Sequence, residues 1–584
     1  MIKYLFIIAA FSVTLNVNGT TVMPSYTEPV DTAKVDVSGW QLSGKPLTLT
    51  WVSKDFHYRQ FATPPTCMSA DTTVTAWRGE RLGVEALIVC REETGPMRVS
   101  LSDFIDARGR KVAMPGSSAM FMRYVLADDV RDCSYQSKET PVFTLPDMID
   151  LPGTSVAIPA KSVRPIWCTV EVPRSLTPGR YVATLSLESE KGDRPVEKIK
   201  LNIDVLDRTL PKPKDYAFYL DLWQQPYAIS RYYGVKPWSD RHIELLKPYA
   251  EYMARGGQKT VTTVLFYEPW GEQSNDKFEP MVETLRNPDG SWSFDYTIFD
   301  KYVEFMADNG IDRHIECFTM IPWEMKFRYF DKASSEYRFL DAPSSSSQYK
   351  ELWMATLKSL EKHLKAKGWF EKSIIFMDER GADQMRDAVA VLREVTPDFK
   401  MGLAGEYHEE LVDELYNYTL GNRCFFSASE LERRRQKGLV TLMYTCCTTP
   451  EPSQFTSNSP ADGAYIPVYC TATGFDGYLH WSFQNWNNNP MVDTRFFKFG
   501  SGDTFFIYPD GRSSVRYERL LEGIQLSEKI RLLRQEMTAA DDIRGLLRLE
   551  EALIPLRSGA FSAWCPTSTV VNELTERVAA LSRE

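Results

Sequence analysis

Two adjacent carboxylates, Asp378 and Glu379, follow directly on the apolar run Ser373–Met377. The run has the composition of a buried β-strand, and Gly381 interrupts the pattern just beyond the acids. In a barrel of alternating strands and helices, the C-terminal ends of the strands carry the catalytic side chains. Neighbouring carboxylates repel each other, so their pKa values separate, and one can donate a proton while the other stays charged. Acidic capping at the start of a helix is the alternative interpretation of this pair.

Two regions of different pattern surround the acidic pair in this chain of 584 residues. Across residues 23–210, short alternating apolar runs are separated by turn signals, which predicts an N-terminal β-sandwich. The proline-rich segment Leu210–Lys214 indicates a stiff linker. From residue 215 to 584, apolar runs alternate with amphipathic helical patterns. This alternation predicts a (β/α)8 TIM-type barrel with a helical C-terminal extension.

Eight apolar runs are candidate barrel strands, and the acidic pair ends the fourth: Ala217–Trp223, Val261–Tyr267, His314–Thr319, Ile374–Asp378, Lys400–Glu406, Leu415–Leu420, Val440–Thr445 and Gly477–Phe483. An open doubly wound sheet is the alternative, but no glycine-rich phosphate loop follows the first run. The tail is predicted as three helices, at Ser514–Arg534, Asp541–Ile554 and Thr567–Arg583, with Pro555 stopping the second.

The N-terminus has the pattern of a secretory signal peptide over residues 1–19. Lys3 precedes an apolar run from Tyr4 to Leu15, and cleavage near Gly19 fits the residues that follow. The run is too short to span a membrane. We therefore expect an exported protein, periplasmic or extracellular, and one or two disulfides among its 10 cysteines.

The composition excludes several classes of partner. Net charge is -10, and no Lys/Arg-rich block suggests nucleic acid binding. The cysteines and histidines lack metal-site spacing, so we expect no metal and no organic cofactor.

The predicted strand ends are rich in aromatic rings, amides and carboxylates, a combination that suits a neutral sugar. Glu268, Glu316 and Glu406 are further acids there, and one of them is a candidate to bind an axial 4-hydroxyl. Interior packing is the alternative for the tryptophans, and a satisfied core position for the histidine. The candidate sugar-binding residues are Trp223, His314, Tyr407, Trp481, Trp486 and Asp493.

The chain resembles glycoside hydrolase family 123, the β-N-acetylgalactosaminidases, over essentially its whole length after the signal segment. The resemblance rests on an ordered set of short motifs: Phe376-Met377-Asp378-Glu379, Gly477-Tyr478-Leu479-His480-Trp481 followed by Trp486, Gly502-Asp503-Thr504 with Tyr508-Pro509, and Val515-Arg516-Tyr517-Glu518 with Glu522-Gly523.

The resemblance implies retaining hydrolysis of terminal β-GalNAc, in glycans or glycolipids, with the sugar's 2-acetamido oxygen as nucleophile. Glu379 would then be the general acid and base, with its pKa raised, while Asp378 stays ionised against the acetamido N–H. Tyr444 is a candidate donor to the acetamido oxygen, with a barrel-core role as the alternative. The seventh predicted strand ends in Tyr444-Thr445-Cys446 without an acid, as expected if the substrate supplies the nucleophile. A β-N-acetylglucosaminidase or broader hexosaminidase, and a non-catalytic glycan-binding protein, are the alternative functions.

Overall fold

The computed structural model describes residues 27–41, 44–131, 133, 140–192, 196–421, 424–449, 451–558 and 565–584. The predicted signal segment, residues 1–19, lies outside the described residues. Within them, a strand-rich N-terminal region is followed by a nearly closed barrel of eight parallel strands and by C-terminal helices. This architecture confirms the predicted fold class.

The N-terminal region is a sandwich of two sheets. One has the order β1-β3-β10-β7-β8 and the other the order β2-β12-β11-β4-β9, with β5 and β6 at its side. Alternating apolar side chains from both sheets, such as Ile88, Phe121 and Leu185, form the core between them. The strands are β1 Leu47–Val52, β2 Asp71–Arg78, β3 Arg81–Cys90, β4 Pro96–Leu101, β5 Phe104–Asp106, β6 Lys111–Val112, β7 Ser118–Ala127, β8 Phe143–Ile149, β9 Ser155–Ala157, β10 Ser162–Glu171, β11 Gly179–Ser189 and β12 Glu197–Thr209.

The barrel strands run in the order β13-β24-β23-β22-β21-β20-β17-β14. A backbone bridge between Leu220 and Gln258 brings the first and last of these together and nearly closes the barrel. All eight predicted strands are present, mostly shorter than predicted. They are β13 Tyr219–Leu222, β14 Thr260–Val264, β17 His314–Phe318, β20 Ser373–Asp378, β21 Lys400–Gly405, β22 Asn417–Gly421, β23 Val440–Tyr444 and β24 Gly477–His480.

A small four-stranded sheet is inserted around β17, in the order β16-β15-β18-β19. Its strands are β15 Glu283–Arg286, β16 Trp292–Asp295, β18 Lys326–Asp331 and β19 Glu336–Asp341. The barrel helices are α1 Pro226–Tyr232, α2 Asp240–Gly256, α3 Thr297–Asp308, α4 Ser347–Lys367, α5 Ala382–Val395, α6 Ala428–Gln436 and α7 Ala461–Thr473.

The C-terminal helices are α8 Val515–Ala539, α9 Ile543–Ala552, α10 Ile554–Ser558 and α11 Thr567–Leu581. Helix α8 packs against α7 of the barrel and against β3 and β8 of the sandwich. The short strand β25, Ser513–Ser514, pairs with β8 just before α8 begins. Pro555 does not simply stop a helix as predicted: it lies in the first turn of α10, where its missing N–H costs nothing.

Candidate active site

A pocket of about 520 Å³ opens at the C-terminal ends of the barrel strands and contains both acids of the pair. Its wall mixes aromatic rings with a few polar groups, a composition typical of small-ligand sites. The lining residues are Trp223, Trp270, Gln273, Asp378, Glu379, Ala404, Tyr444, Thr445, Cys446, Cys447, Leu479, Trp481, Phe499 and Asp503.

Asp378 is the last residue of β20, and its carboxylate is half-buried. Its Oδ2 accepts a hydrogen bond from the indole N–H of Trp323 at 3.2 Å. The Arg380 guanidinium lies 4.3 Å from the centre of the Trp323 ring and donates from Nε to the Asp378 carbonyl oxygen at 2.8 Å.

Glu379 adopts a left-handed backbone conformation with φ of 49°. Its N–H donates to the Ala404 carbonyl at 2.7 Å, so the turn stays tied to the neighbouring strand β21. Gly405 makes this close approach possible, because a Cβ there would lie 3.2 Å from the Glu379 Cα. The exposed Glu379 side chain accepts a hydrogen bond from the Tyr444 hydroxyl at 2.9 Å on Oε1. Strained backbone of this kind is common at functional sites.

Burial and the neighbouring Glu379 charge raise the pKa of Asp378 to about 7, against the lowering effects of Trp323 and Arg380. Asp378 is the more enclosed member of the pair, while Glu379 reaches the open side of the pocket. We therefore expect Asp378 to keep a proton up to about neutral pH.

The apolar wall of the pocket is built from stacked rings. Trp223, which is buried, stacks on Trp270 with ring centres 5.6 Å apart. On another side, Trp481 meets Phe499 edge-on at 4.9 Å, and its indole N–H donates to Oδ2 of Asp503 at 3.0 Å. Burial raises the pKa of Asp503 to about 7, although the Trp481 hydrogen bond opposes the shift.

Two predicted sugar-binding residues are wrong, because the structure buries them away from the pocket. His314 is the first residue of β17, at the opposite end of the barrel, where the hydroxyls of Tyr219 and Tyr416 hydrogen-bond its two ring nitrogens at 2.7 and 3.1 Å. Burial lowers its pKa to about 3. Trp486 has no exposed surface and donates its indole N–H to the Ile507 carbonyl at 2.7 Å.

Tyr407 and Asp493 are not brought to the pocket either. The Tyr407 hydroxyl donates to Glu430 on α6 at 2.5 Å. Asp493 forms a forked ion pair with Arg495, with its Oδ2 at 2.7 Å from Nη2. Trp223 and Trp481, together with Asp378, Glu379 and Tyr444, are the predicted site residues that the pocket does bring together.

None of the three further mouth acids lines this pocket. Glu268 accepts from the Phe278 N–H at 2.5 Å in a neighbouring hollow, and Glu406 is exposed. Glu316 has no exposed surface and lies inside the barrel beside Asp221, because it sits in the middle of β17 rather than at its end.

The sequence analysis did not select Trp270 and Asp503, which line the pocket, or Trp323, which hydrogen-bonds Asp378. Trp270 and Trp323 each follow a proline a few residues beyond the end of a predicted strand. This position close to a strand end is the sequence signal that could have identified them as site residues. Asp503 belongs to a motif that carried the family resemblance, but its placement depends on a long loop after β24 that periodicity does not fix.

A disulfide joins Cys133, after β7 of the sandwich, to Cys447, after β23 of the barrel, with Cα atoms 5.1 Å apart. Across the described ranges, no three His, Cys, Asp or Glu side chains gather as metal ligands would. The same residues include no helix with the length and apolarity needed to cross a membrane.

Two protein-family models match this chain. Residues 223–533 match the family model described as Glycoside hydrolase 123, catalytic domain, and residues 51–189 match the Glycoside hydrolase 123 N-terminal domain. The chain belongs to glycoside hydrolase family 123. The catalytic match covers more than half of the chain and contains every residue that lines the pocket. Comparison with curated proteins gave no match.

Among solved structures, the family 123 glycoside hydrolase from Clostridium perfringens, described in a study of glycolipid glycan hydrolysis, has a TM-score of 0.84 at 23% identity. The alignment covers 92% of this chain and 99% of that enzyme, so the two share their whole fold. A Bacteroides ovatus xyloglucanase aligns far less well, with a TM-score of 0.27 at 9% identity over 82% of this chain and 100% of that one.

Proposed function

We propose that this glycoside hydrolase is a retaining, exo-acting β-N-acetylgalactosaminidase that removes terminal β-GalNAc from glycans or glycolipids. The observation that carries the proposal is the arrangement of two adjacent carboxylates in one pocket with different partners. Asp378 is held by the Trp323 indole, and Glu379 by the Tyr444 hydroxyl. Two differently held acids suit two different roles on one sugar.

In the proposed reaction, the 2-acetamido carbonyl oxygen attacks the anomeric carbon while Glu379 protonates the departing glycosidic oxygen. The C1–O bond breaks and an oxazolinium ring forms, whose N–H stays hydrogen-bonded to the ionised Asp378. Glu379 then takes a proton from water as that water attacks C1 and opens the ring. The β configuration is restored, and the acetamide is regenerated.

The proton on the acid pair fits this scheme. A bound acetamido N–H donates to Asp378 and favours its charged form, so the proton of the pair passes to Glu379. Glu379 then carries the proton needed by the leaving group. Tyr444, which donates to Glu379 in the empty pocket, is placed to turn its hydroxyl to the acetamido oxygen once Glu379 is protonated.

The pocket lining suits the terminal sugar of a glycan. Trp223, Trp270 and Trp481 contribute to an aromatic wall beside the two acids, against which the apolar face of a sugar ring can pack. The structural relative from Clostridium perfringens is described in terms of glycolipid glycans, and a glycolipid headgroup is a substrate of the class we propose.

The decisive experiment compares nitrophenyl β-GalNAc, β-GlcNAc and β-galactoside as substrates. We expect cleavage of the GalNAc substrate and little of the galactoside, because only the N-acetyl sugar supplies its own nucleophile. Equal cleavage of both N-acetyl sugars would support the hexosaminidase alternative. Rapid cleavage of the galactoside would contradict acetamide assistance.

Single substitutions test the two acids. Asp378→Asn should abolish most turnover, and Glu379→Gln should lose about 10²-fold or more on a poor leaving group and least on an acidic one. Glu406→Gln, an exposed acid beyond the neighbouring strand β21, is the matched control and should behave as wild type. Glycan binding without turnover in the wild-type protein would favour the glycan-binding alternative.

We also propose that the protein is exported to the periplasm or the extracellular space. The Cys133–Cys447 disulfide supports this, since structural disulfides persist in oxidising compartments. Mass spectrometry of the secreted protein would show an N-terminus near residue 20 if the predicted signal peptide is removed.

A further inference from the structure

Asp503 is a buried residue, and one of its two carboxylate oxygens accepts no hydrogen bond from the described residues. It lines the pocket, yet the residue is 1% exposed. Its Oδ2 accepts from the Trp481 indole at 3.0 Å, whereas Oδ1 has no hydrogen-bond partner among the described residues. A buried carboxylate oxygen without a donor is costly, and such a group at a pocket wall is suited to a donor brought by a ligand.

The position of Asp503 around the barrel indicates which part of a sugar it meets. Trp481, its partner, follows β24, and the acids Asp378 and Glu379 end β20. The order β24-β23-β22-β21-β20 places these strands four steps apart in a barrel of eight, on opposite sides of the mouth. C1 and C4 are opposite each other in a pyranose ring. A ring with C1 at the acids therefore presents C4 towards Asp503.

The loop that carries Asp503 is held by the sandwich as well as by the barrel, where His480 of β24 hydrogen-bonds the Asp503 carbonyl oxygen at 2.8 Å. Ser501 donates from its hydroxyl to the buried Asp128 carboxylate at 2.8 Å, and the Asp128 N–H donates back to that hydroxyl at 2.9 Å. Gly500 packs so closely that a Cβ there would lie 2.2 Å from the Val130 carbonyl oxygen. Both Asp128 and Val130 follow strand β7 of the sandwich.

A second sandwich acid supports the same loop through α8. Arg516 donates from Nη1 to the Gly502 carbonyl at 2.8 Å and from Nη2 to Asp147 Oδ2 at 2.9 Å. Asp147 is a fully buried residue of β8. Ser501 and Gly502, the two residues before Asp503, are thus bonded to acids of the sandwich, Ser501 directly and Gly502 through Arg516.

We propose that Asp503 is the specificity-determining acceptor for the axial 4-hydroxyl of the bound sugar, and that the sandwich residue Asp128 positions it. This inference rests on the proposed function and deepens it. The sandwich is then a structural part of the sugar site. A galacto sugar donates its 4-hydroxyl to Asp503 Oδ1 and satisfies that oxygen, whereas the equatorial 4-hydroxyl of a gluco sugar points elsewhere.

Asp503→Asn tests the acceptor. Its folding should be unimpaired, because the change removes a buried charge and keeps the shape. We expect KM for nitrophenyl β-GalNAc to rise about tenfold with kcat little changed, and the preference over β-GlcNAc to fall by a similar factor. An equal rise in KM for the β-GalNAc and β-GlcNAc substrates would overturn the assignment of Asp503 to the 4-hydroxyl. Complete loss of kcat on all substrates would also overturn it, because a residue that only binds the 4-hydroxyl is not needed for the chemical step.

Asp128→Ala tests the positioning role through a double-mutant cycle. Alone it should raise KM for the GalNAc substrate, and in the Asp503→Asn background it should raise KM no further. Additive effects of the two substitutions would contradict action through Asp503. Glu80→Gln is the matched control, since the Glu80–Lys529 pair at 2.5 Å is an equally buried sandwich contact to α8 away from the loop. It should lower the unfolding temperature and leave KM unchanged.

Binding of free N-acetylgalactosamine and N-acetylglucosamine, measured by isothermal titration calorimetry, separates this inference from the proposed reaction. A protein that hydrolyses none of the nitrophenyl sugars contradicts the proposed function. The acceptor role is then still decided by whether Asp503→Asn weakens binding of the galacto sugar selectively. Binding of both monosaccharides that is indifferent to Asp503 would overturn the inference on its own.

Discussion

Burial and the Glu379 charge raise the pKa of Asp378 to about 7, so we expect Asp378 to hold a proton at neutral pH. The proposed reaction needs that proton, which the bound sugar would transfer to the general acid. Above the pKa of Asp378 the proton is lost, so kcat/KM should fall about tenfold per pH unit beyond about pH 7. A pH profile with an N-acetyl aryl substrate measures this. Constant kcat/KM up to pH 9 would contradict the role of the Asp378 proton.

Tyr444→Phe should lower kcat. The Tyr444 hydroxyl donates to Glu379 at 2.9 Å and, in the proposed reaction, turns to the acetamido oxygen. Loss of a donor to an oxygen that reacts should reduce kcat on an N-acetyl aryl substrate about 10²-fold. The control is Tyr407→Phe, another tyrosine just beyond a barrel strand, whose hydroxyl bonds Glu430 outside the pocket. An unchanged kcat in Tyr444→Phe would contradict the role of Tyr444.

At the scale of the elements, the barrel interior contains a second acidic pair below the pocket. Asp221 on β13 and Glu316 on β17 have no exposed surface. Burial raises the pKa of Asp221 to about 6, and burial with the nearby Asp221 charge raises that of Glu316 well above its usual value. Asn417 donates to Glu316 Oε1 at 3.3 Å, and no described residue bonds Oε2. The folded state therefore favours protonated acids here.

Because the folded pKa values are raised, stability from this pair is fully present below about pH 4 and is lost as pH rises through the folded values. Glu316→Gln keeps the shape and removes the titration. It should raise the unfolding temperature at pH 8 by a few degrees, about 2–4 °C per kcal/mol, with less effect at acid pH. Glu336→Gln on the exposed strand β19 is the control. A variant less stable than wild type at pH 8 would contradict the prediction.

The elements themselves were largely predictable, and the site only in part. Eight apolar runs identified the barrel strands, and the run before Asp378 placed the acids at a strand end. The prediction that His314 binds sugar was wrong, because periodicity shows that a residue is on a strand but not at which end of the barrel it lies. Asp503 lies 23 residues beyond His480, and its position is set by contacts with His480 on the barrel and, through Ser501, with Asp128 of the sandwich, which no local pattern encodes.

At the scale of the whole molecule, sandwich and barrel are joined by buried charges along α8 and the residues just before it. Arg516 pairs with Asp147 at 2.9 Å and Arg519 with Asp55 at 2.8 Å, and all four side chains are almost fully buried. Removing the sandwich would leave these arginines without their partners Asp147 and Asp55. The disulfide between Cys133 and Cys447 adds a covalent link between the domains near the pocket.

Breaking one of these pairs should destabilise the entire molecule. Asp147→Asn leaves the Arg516 charge buried without its partner, at a cost of about 3–5 kcal/mol, and calorimetry should show one transition shifted to lower temperature. Asp204→Asn, which breaks the exposed Arg180–Asp204 pair of the sandwich, should change stability by less than about 1 kcal/mol. Two separate transitions in the wild-type protein, with only the sandwich transition moved by Asp147→Asn, would show instead that the barrel folds without its neighbour. The sandwich would then be dispensable to the pocket, and an isolated barrel beginning at residue 211 should retain the GalNAc preference.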